Sequence, residues 1–572
     1  MLTPLSWLTD FTPIETRPSD LEGLARLRAV LDSLGLVVES VERIGAGLEG
    51  VVLARVLEIR EIPGADRIRQ VVADRGDGSP LEIVCGATNY ELGDVVPLAP
   101  VGVELPGGMR IERRRMRGVE SNGMLCSGRE LGLSEDAAGL MILTSPGPDG
   151  ELPKGMQLGS PLTEYLGLES DAVFDIAVEP NRPDCLSISG IARDLAAKLR
   201  LPFLIPDPVV ISSGPPAGEL ASAQSREPSG CDLLVASVLT GVVEVPSPPL
   251  VQRRLTLSGM RPINAVVDAS NYVMLELGQP THPYDLDRLG GKGITVRLAR
   301  RGEVLVTLDG EEHRLGVATD ALGRESAVDE LVITDAEDHV VGLAGVMGGA
   351  TSGIDATTSR VLLEVAHFDS VLVGRAAARH GLRTEASLRF WRGTDPDGAP
   401  RAAARFCELV THAAREAGVG VPSAAPGLLV EDHRAQSARR ITLRPARLNA
   451  LLGTTLSAEE IAGYLAPIGF AATPGRDGLV VEVPSFRPDA SREVDLVEEV
   501  ARHHGYSEIE RTERRSPSVG RRSTRQDFRR RLRELLCGLG ADEAWTSSIV
   551  APDLEESEDA VAMALVVAQR AE

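Results

Sequence analysis

The sequence predicts a multidomain protein of the α+β class, and three observations carry that reading. At 572 residues the chain is too long for one core, because domains of roughly 100 to 200 residues give about three to five of them. Short β-type runs broken by Gly, Pro and Asp fill the region from Gly50 to about 160, and alternating α and β patterns extend to about Pro400. A Pro-rich stretch from Pro202 to Gly230, and a second break at 417–426, separate these textures.

Taken in order, residues 1–44 read as a helical start. Leu21, Leu24, Leu27, Leu31 and Leu34 recur at helical spacing, and Gly35 stops the run. Within 45–162 the runs Val51–Val56, Leu81–Cys85 and Val95–Leu98 have the spacing of a small barrel. A connecting segment at 163–210 leads to an α/β region at 211–400. Residues 430–511 then form a compact unit, with a helix at Ala458–Leu465, a strand at Leu479–Val483 and a strong helix at Ser491–His504.

Composition narrows the function. Lys and Arg number 60 against 83 Asp and Glu, a net charge of -23, so any contact with nucleic acid must come from local patches on an acidic body. Those patches are arginine, since Lys154, Lys198 and Lys292 are the only lysines. The six cysteines (Cys85, Cys126, Cys185, Cys231, Cys407, Cys537) form no CxxC or CxxH pair, which suggests neither a zinc site nor a disulfide framework and fits a reducing cytoplasm. The start, MLTPLSWLTDF, has no basic n-region and no apolar h-region, and the run Ala560–Ala568 is far short of the roughly 18 residues of a membrane span. A cytoplasmic chain without a membrane segment is expected.

Two charged stretches stand out. Arg110, Arg113, Arg114, Arg115 and Arg117 place five arginines in eight residues; such a patch pairs with phosphate oxygens, or is a solvated strand and turn. On the helix after Pro488, Asp495, Glu498 and Glu499 fall within one arc, opposite Val494, Leu496, Val497, Val500 and Ala501. On residues alone that arc is a solvated face with Asp489 as an N-cap. The basic run Arg521–Arg533 reads as a helix with solvated arginines.

The strings VCGATN, GMLCS, EPNRPDCLS, NYVMLELGQPTHPYD, HPYDLDRL, HGLRTEAS and VDLVEEVARHHGY follow one another along the chain. On these the chain resembles the beta subunit of bacterial phenylalanine-tRNA ligase. The resemblance implies an OB-fold barrel that binds tRNA at 45–162, an α/β editing domain (B3/B4-like) at 211–400 and a winged-helix-like domain (B5-like) at 430–511. It also implies a partial synthetase-like α/β domain at 515–572, cut short at the C-terminus with no anticodon-binding domain after it.

The same resemblance assigns residues. Arg261, His282, Gly348, Glu364, Thr384 and Ala386 match the family's editing pocket, which hydrolyses tyrosine wrongly attached to tRNA(Phe). His282, Glu364 and Thr384 are the expected catalytic set, and Arg261, Gly348 and Ala386 the expected substrate contacts. A pocket shaped for phenylalanine rejects an added hydroxyl by only about two orders of magnitude, so a second site must recognise that hydroxyl. Glu364, a carboxylate in an apolar run, suits the task, while Gly348 lets the backbone approach closely. His282 and Thr384 suit a water molecule, and Arg261 a tRNA phosphate or ribose.

Read singly, His282 is as well a turn cap, Gly348 a turn residue and Glu364 a partner for an arginine such as Arg375. The Arg110–Arg117 run becomes a tRNA contact under the resemblance, and Asp489, Asp495, Glu498 and Glu499 a Mg2+ site shared with the alpha subunit. The resemblance also implies that the complex uses ATP, and that the partners are an alpha subunit, in a tetramer of two alpha and two beta chains, and tRNA(Phe). Arg67, Leu388 and Trp391 depart from the family pattern. The alternative is a free-standing tRNA-binding and editing protein with no aminoacylation role.

Overall fold

The computed structural model describes residues 1–545 apart from 46, 47, 49, 66, 67, 107, 132–138, 148, 149, 154, 155, 167–169, 320–322, 435–437 and 512–519. The chain divides into two compact units, Met1–Ile509 and the segment from Glu510 onward. The first opens with β1 (Leu2–Pro4), α1 (Leu5–Leu8), α2 (Leu21–Ser33) and β2 (Val37–Ile44). The leucine repeat forms α2, and Asp20 caps it by accepting the Gly23 N–H at 2.9 Å. Leu24, Leu27, Leu31 and Leu34 are buried, and Gly35 follows at φ +76°, a left-handed exit that glycine adopts without strain.

The barrel region holds β3 (Val52–Glu61), β4 (Arg69–Asp74), β5 (Leu81–Cys85), β6 (Val95–Pro100), β7 (Arg114–Met116), β8 (Val119–Ser121) and β9 (Gly123–Leu125). Five strands make an antiparallel sheet in the order β5-β4-β3-β6-β9, and β9 packs back against β5, so the sheet nearly closes. Ala54, Val56, Val96 and Leu98 fill its interior, while Leu53, Val95 and Ala99 pack outward under residues 103–166. β7 and β8 form a separate hairpin. Its turn residues, Arg117 and Gly118, have φ of +51° and +88°, the type I′ signature of a two-residue hairpin.

Next come α3 (Leu162–Tyr165), β10 (Asp171–Ala177), α4 (Ile188–Leu199), α5 (Ala217–Leu220) and β11 (Ser222–Ser225). Here the structure differs from the expected connecting segment at 163–210. β10 lies between β1 and β2, antiparallel to both, and α4 buries Ile188, Ile191 and Leu195. The Pro-rich stretch is also tied down, with the Leu204 N–H on the Phe11 carbonyl and the Ser213 N–H on the Ala424 carbonyl, each at 3.0 Å. One apolar core runs from Leu5 to Ala424 across the boundaries expected at 44 and 210.

The central part contains β12 (Cys231–Thr240), α6 (Pro249–Leu257), α7 (Ala265–Leu277), β13 (Thr281–Asp285), β14 (Gly293–Leu298), β15 (Glu303–Val306), β16 (Glu312–Leu315), β17 (Val317–Thr319), β18 (Glu325–Ala327) and β19 (Leu331–Asp335). It continues with β20 (Val340–Leu343), β21 (Met347–Gly348), β22 (Arg360–Phe368), α8 (Ser370–His380), α9 (Glu385–Arg392), α10 (Ala399–Glu416), β23 (Ser423–Ala424) and β24 (Leu429–Asp432). One sheet has the order β11-β14-β19-β20-β21; the other is β13-β22-β12-β23, with β24 also on β12. The second sheet is buried on both faces. Val361, Leu363 and Val365 face the core shared with α7 and α10, whereas Leu362, Ala366 and Phe368 face a second core against the first sheet.

The first unit ends with β25 (Arg440–Leu443), α11 (Pro445–Leu452), α12 (Ala458–Leu465), β26 (Ala471–Gly475), β27 (Gly478–Glu482) and α13 (Glu493–His504), around a sheet in the order β25-β27-β26. The second unit presents α14 (Thr524–Gly538), no residue of which is buried. Of the expected segment 515–572, residues 515–519 and 546–572 lie outside the described residues, as does Arg67. Among the described residues no helix is long and apolar enough to cross a membrane.

A buried charge cluster joins α4 to α13. Arg182 contacts Asp184 at 2.8 Å and Asp194 at 2.9 Å. Arg487 holds Asp489 at 2.8 Å and Glu499 at 2.7 Å. Arg502 reaches Asp194 at 3.0 Å, Glu499, and the carbonyl of Leu34 at 2.7 Å. Burial pushes the Glu499 carboxyl up, but Arg502 and Arg487 outweigh it and hold the pKa down at about 2. Removing one member of such a cluster strands a buried charge, at a cost of about 3–5 kcal/mol. Arg487→Met is therefore expected to lower stability by about that amount, read from the denaturant midpoint, and adding Glu499→Gln is expected to restore part of it.

Candidate functional site

β22 is a run of nine residues, RVLLEVAHF, in which Val361 to Ala366 and Phe368 are buried. Because side chains alternate along a strand, Glu364 falls with Leu362 and Ala366 on the face toward the second core. In register it lies between Ala236 of β12 and His282 of β13. Tyr284, two residues beyond His282 and on the same face, donates its hydroxyl to Glu364 Oε2 at 2.8 Å. The His282 and Tyr284 rings meet edge to face, with centroids 4.4 Å apart.

These side chains line a cavity of about 70 Å³ together with Gly348, Ala386 and Phe390. A Cβ at Gly348 would overlap the His282 ring, so the backbone of β21 can run there only as glycine. Burial pushes the Glu364 carboxyl up to about 7 against the opposing pull of the Tyr284 hydroxyl. Burial alone takes His282 down to about 4, which leaves a neutral imidazole at pH 7. His282 Nε2 is buried and has no hydrogen-bond partner.

The remaining expected pocket residues separate. Ala386 lines the cavity from the first turn of α9. Thr384 is the N-cap of that helix: it accepts the Ser387 N–H at 3.0 Å and donates to the carbonyl of Val346, a cavity-lining residue, at 2.9 Å. It thus fixes the wall rather than lining it. Arg261 lies exposed between α6 and α7 and is not among the lining residues. Trp391 is 58 % exposed and packs over Gly374 of α8, outside the cavity. Glu364 pairs with Tyr284, not with an arginine.

All five arginines of the basic run are exposed on and around the β7–β8 hairpin. Arg110 and Arg114 border a cleft of about 450 Å³ that also takes in Met109, Met116, Met124 and Ser127. Arg113, Arg115 and Arg117 are not among its lining residues.

Three family models match parts of the chain. Residues 51–152 match the tRNA binding domain family, 230–415 the B3/4 domain and 441–506 the tRNA synthetase B5 domain. Over 554 residues, 96 % of this chain, it is 41 % identical to the phenylalanine-tRNA ligase beta subunit of Geobacter sulfurreducens. The subunits of Anaeromyxobacter dehalogenans and Salinibacter ruber are 42 % and 40 % identical over 90 % and 96 % of the chain. The chain belongs to the family of bacterial phenylalanine-tRNA ligase beta subunits. It spans 65 %, 60 % and 64 % of the length of these three relatives.

Within this chain the four expected magnesium ligands do not form one ligand set. Asp489 and Glu499 are both held by Arg487, and Asp495 accepts the backbone N–H groups of Ser491 and Arg492 at the start of α13. Only Glu498 is exposed. Among the described residues no group of three or more His, Cys, Asp or Glu side chains converges to hold a metal ion. The residues present therefore do not fit Mg2+, which prefers several water and carboxylate oxygens free of competing cations. Nor is Asp489 an N-cap, since Arg492 occupies that position.

Two pocket residues escaped sequence reasoning. Phe390 carries no polar signal, but Tyr284 was accessible, because strand periodicity puts it beside His282. A test of the buried carboxylate follows from linkage. A carboxyl raised in the folded state contributes stability below its unfolded pKa and loses it as pH rises through the folded value. Glu364→Gln removes that loss. Between pH 5 and pH 8 the variant is expected to gain about 2–3 kcal/mol relative to the parent chain, measured by chemical denaturation at each pH.

Proposed function

We propose that the chain acts as the beta subunit of phenylalanine-tRNA ligase, binding tRNA and hydrolysing tyrosyl-tRNA(Phe) in the pocket around Glu364. The observation that carries this reading is a buried carboxylate facing a small cavity beside a neutral imidazole. An ionised Glu364 accepts the hydroxyl that distinguishes tyrosine from phenylalanine, while phenylalanine would leave one oxygen of the buried carboxylate unpaired, and that asymmetry is the stronger part of the discrimination. His282, with its pKa near 4, is a weak base at pH 7. It serves by accepting a hydrogen bond from the attacking water at its unpartnered Nε2, and Gly348 leaves the room for it. Thr384 positions α9 and through it Ala386.

In this reading residues 45–162 act as an OB-fold and 430–511 as a winged-helix-like unit. The exposed arginines about Arg110 and Arg114 take phosphate oxygens of the tRNA. ATP-dependent attachment of phenylalanine belongs to an alpha subunit partner in the cytoplasm, with the magnesium it uses. Arg261 meets the tRNA end from outside the pocket. No step is assigned to Asp489, Asp495, Glu498 or Glu499.

The purified chain is expected to release tyrosine from tRNA(Phe) mischarged with tyrosine, and Glu364→Ala and His282→Ala are each expected to slow release at least tenfold, about the effect of losing one buried polar contact. No hydrolysis above background by the parent chain would remove the editing role. Replacing Arg110 and Arg114 together by Ala should flatten the log–log salt dependence of tRNA binding by roughly 1.4–1.8; an unchanged slope would place the contact elsewhere.

A further inference from the structure

The assigned pocket residues leave out the one side chain that touches both halves of the site. We infer that Tyr284 is a positioning residue for editing: its hydroxyl occupies one oxygen of Glu364 and turns the other toward the cavity, where it selects an aminoacyl group that carries a hydroxyl. This inference rests on the editing reading above.

The geometry supports it at each atom. Tyr284 is fully buried, and its hydroxyl meets Glu364 Oε2 at 2.8 Å. Among the described residues no other hydrogen bond reaches Glu364, and Oε1 is not among the fully buried atoms lacking a partner. Without Tyr284 both oxygens would be equivalent and the carboxylate would be free to rotate about its last bond, which is a broad torsion. With it, one oxygen is committed and one is available. The Tyr284 ring also lies edge-on to His282 at 4.4 Å, so a single side chain touches both Glu364 and His282.

The hydroxyl has an electrostatic effect as well. A hydrogen bond to the ionised form favours that form, so Tyr284 draws the Glu364 carboxyl downward from where burial alone would place it. The titratable groups that face Glu364 are few. His282 and Tyr284 come from β13, and Cys231 from β12 has its own thiol pKa raised by burial and by Glu364. β19, β20 and β21 contribute Ile333, Gly342, Leu343, Met347 and Gly348 to the cavity, and α9 contributes Ala386 and Phe390, none of them ionisable.

Tyr284→Phe separates the two roles, since it keeps the ring on His282 and removes only the hydroxyl. In the full chain, the Glu364 carboxyl is followed by carbon NMR of labelled glutamate, assigned with Glu364→Gln, alongside the pH profile of tyrosyl-tRNA(Phe) hydrolysis. Tyr284→Phe is expected to move both the Glu364 midpoint and the acid limb of hydrolysis up by about one pH unit or more, with activity recovering at alkaline pH. A purely structural role for the hydroxyl would lower activity equally at every pH. Equal Glu364 midpoints in the parent and Tyr284→Phe chains would overturn the inference even if hydrolysis proceeds. Absence of hydrolysis in the parent chain would instead remove the editing reading, and Tyr284's role with it, whatever the carboxyl titration shows. Should Tyr284→Phe fail to fold, Tyr284→Trp, which keeps a ring and a donor, is expected to hold the Glu364 midpoint below 8, and a midpoint above that counts against the hydroxyl's role.

Discussion

Arg182, Arg487 and Arg502 bury three guanidinium groups among Asp184, Asp194, Asp489 and Glu499, and the packing of the first unit depends on that compensation. A guanidinium out of water is tolerated only when its donors are met by carboxylates or carbonyls. Here those acceptors come from segments far apart in sequence: the loop before α4, α4 itself, α13 and the last turn of α2. Arg193 adds to the same junction by lying 3.9 Å over the ring of Phe486. The cluster fixes α13 against the N-terminal layer, and that layer shares its apolar core with β22 and α10.

From this constraint the site follows by register. Once β22 is clamped between β12 and β13 and covered on both faces, Glu364 has no route to solvent except the cavity. A carboxylate in that setting is costly unless something donates to it, and the described residues supply one donor, Tyr284, where full satisfaction would take more. The site is thus underfilled by the protein's own groups. That incompleteness is the physical basis of the proposed discrimination, because the free energy of pairing is withheld until a ligand with a hydroxyl arrives.

Much of the local fold was legible. The leucine repeat of α2, the barrel strands β5 and β6, and α12 at Ala458–Leu465 lie where periodicity and turn residues put them. What periodicity could not reveal was long-range pairing. Nothing in residues 171–177 announces that they enter a sheet between Leu2–Pro4 and Val37–Ile44, since that choice is made by partners more than a hundred residues away. The acidic arc of α13 failed for a related reason. Helical spacing puts Asp495, Glu498 and Glu499 on one side, but Arg487, on a loop with no periodicity, captures Asp489 and Glu499. Four of the six family-matched pocket positions converge on one cavity; Thr384 braces its wall and Arg261 stays outside.

Two titratable groups stand beside each other in that cavity, and they do not form an ion pair. His282 has its pKa set by burial alone, and the hydrogen bond on Glu364 comes from Tyr284. Had the imidazole and carboxylate paired, each would have drawn the other into its charged form, and the cavity would be satisfied before any ligand entered. Keeping them apart leaves a neutral imidazole nitrogen and one carboxylate oxygen, each lacking a partner among the described residues. The basic hairpin works by the opposite physics. Its arginines stay in water, where each contact is weak, salt-screened and indifferent to sequence. In the proposed function attraction therefore resides at the exposed surface and discrimination in the desolvated pocket, because only removal from water makes one hydroxyl worth enough to decide an outcome.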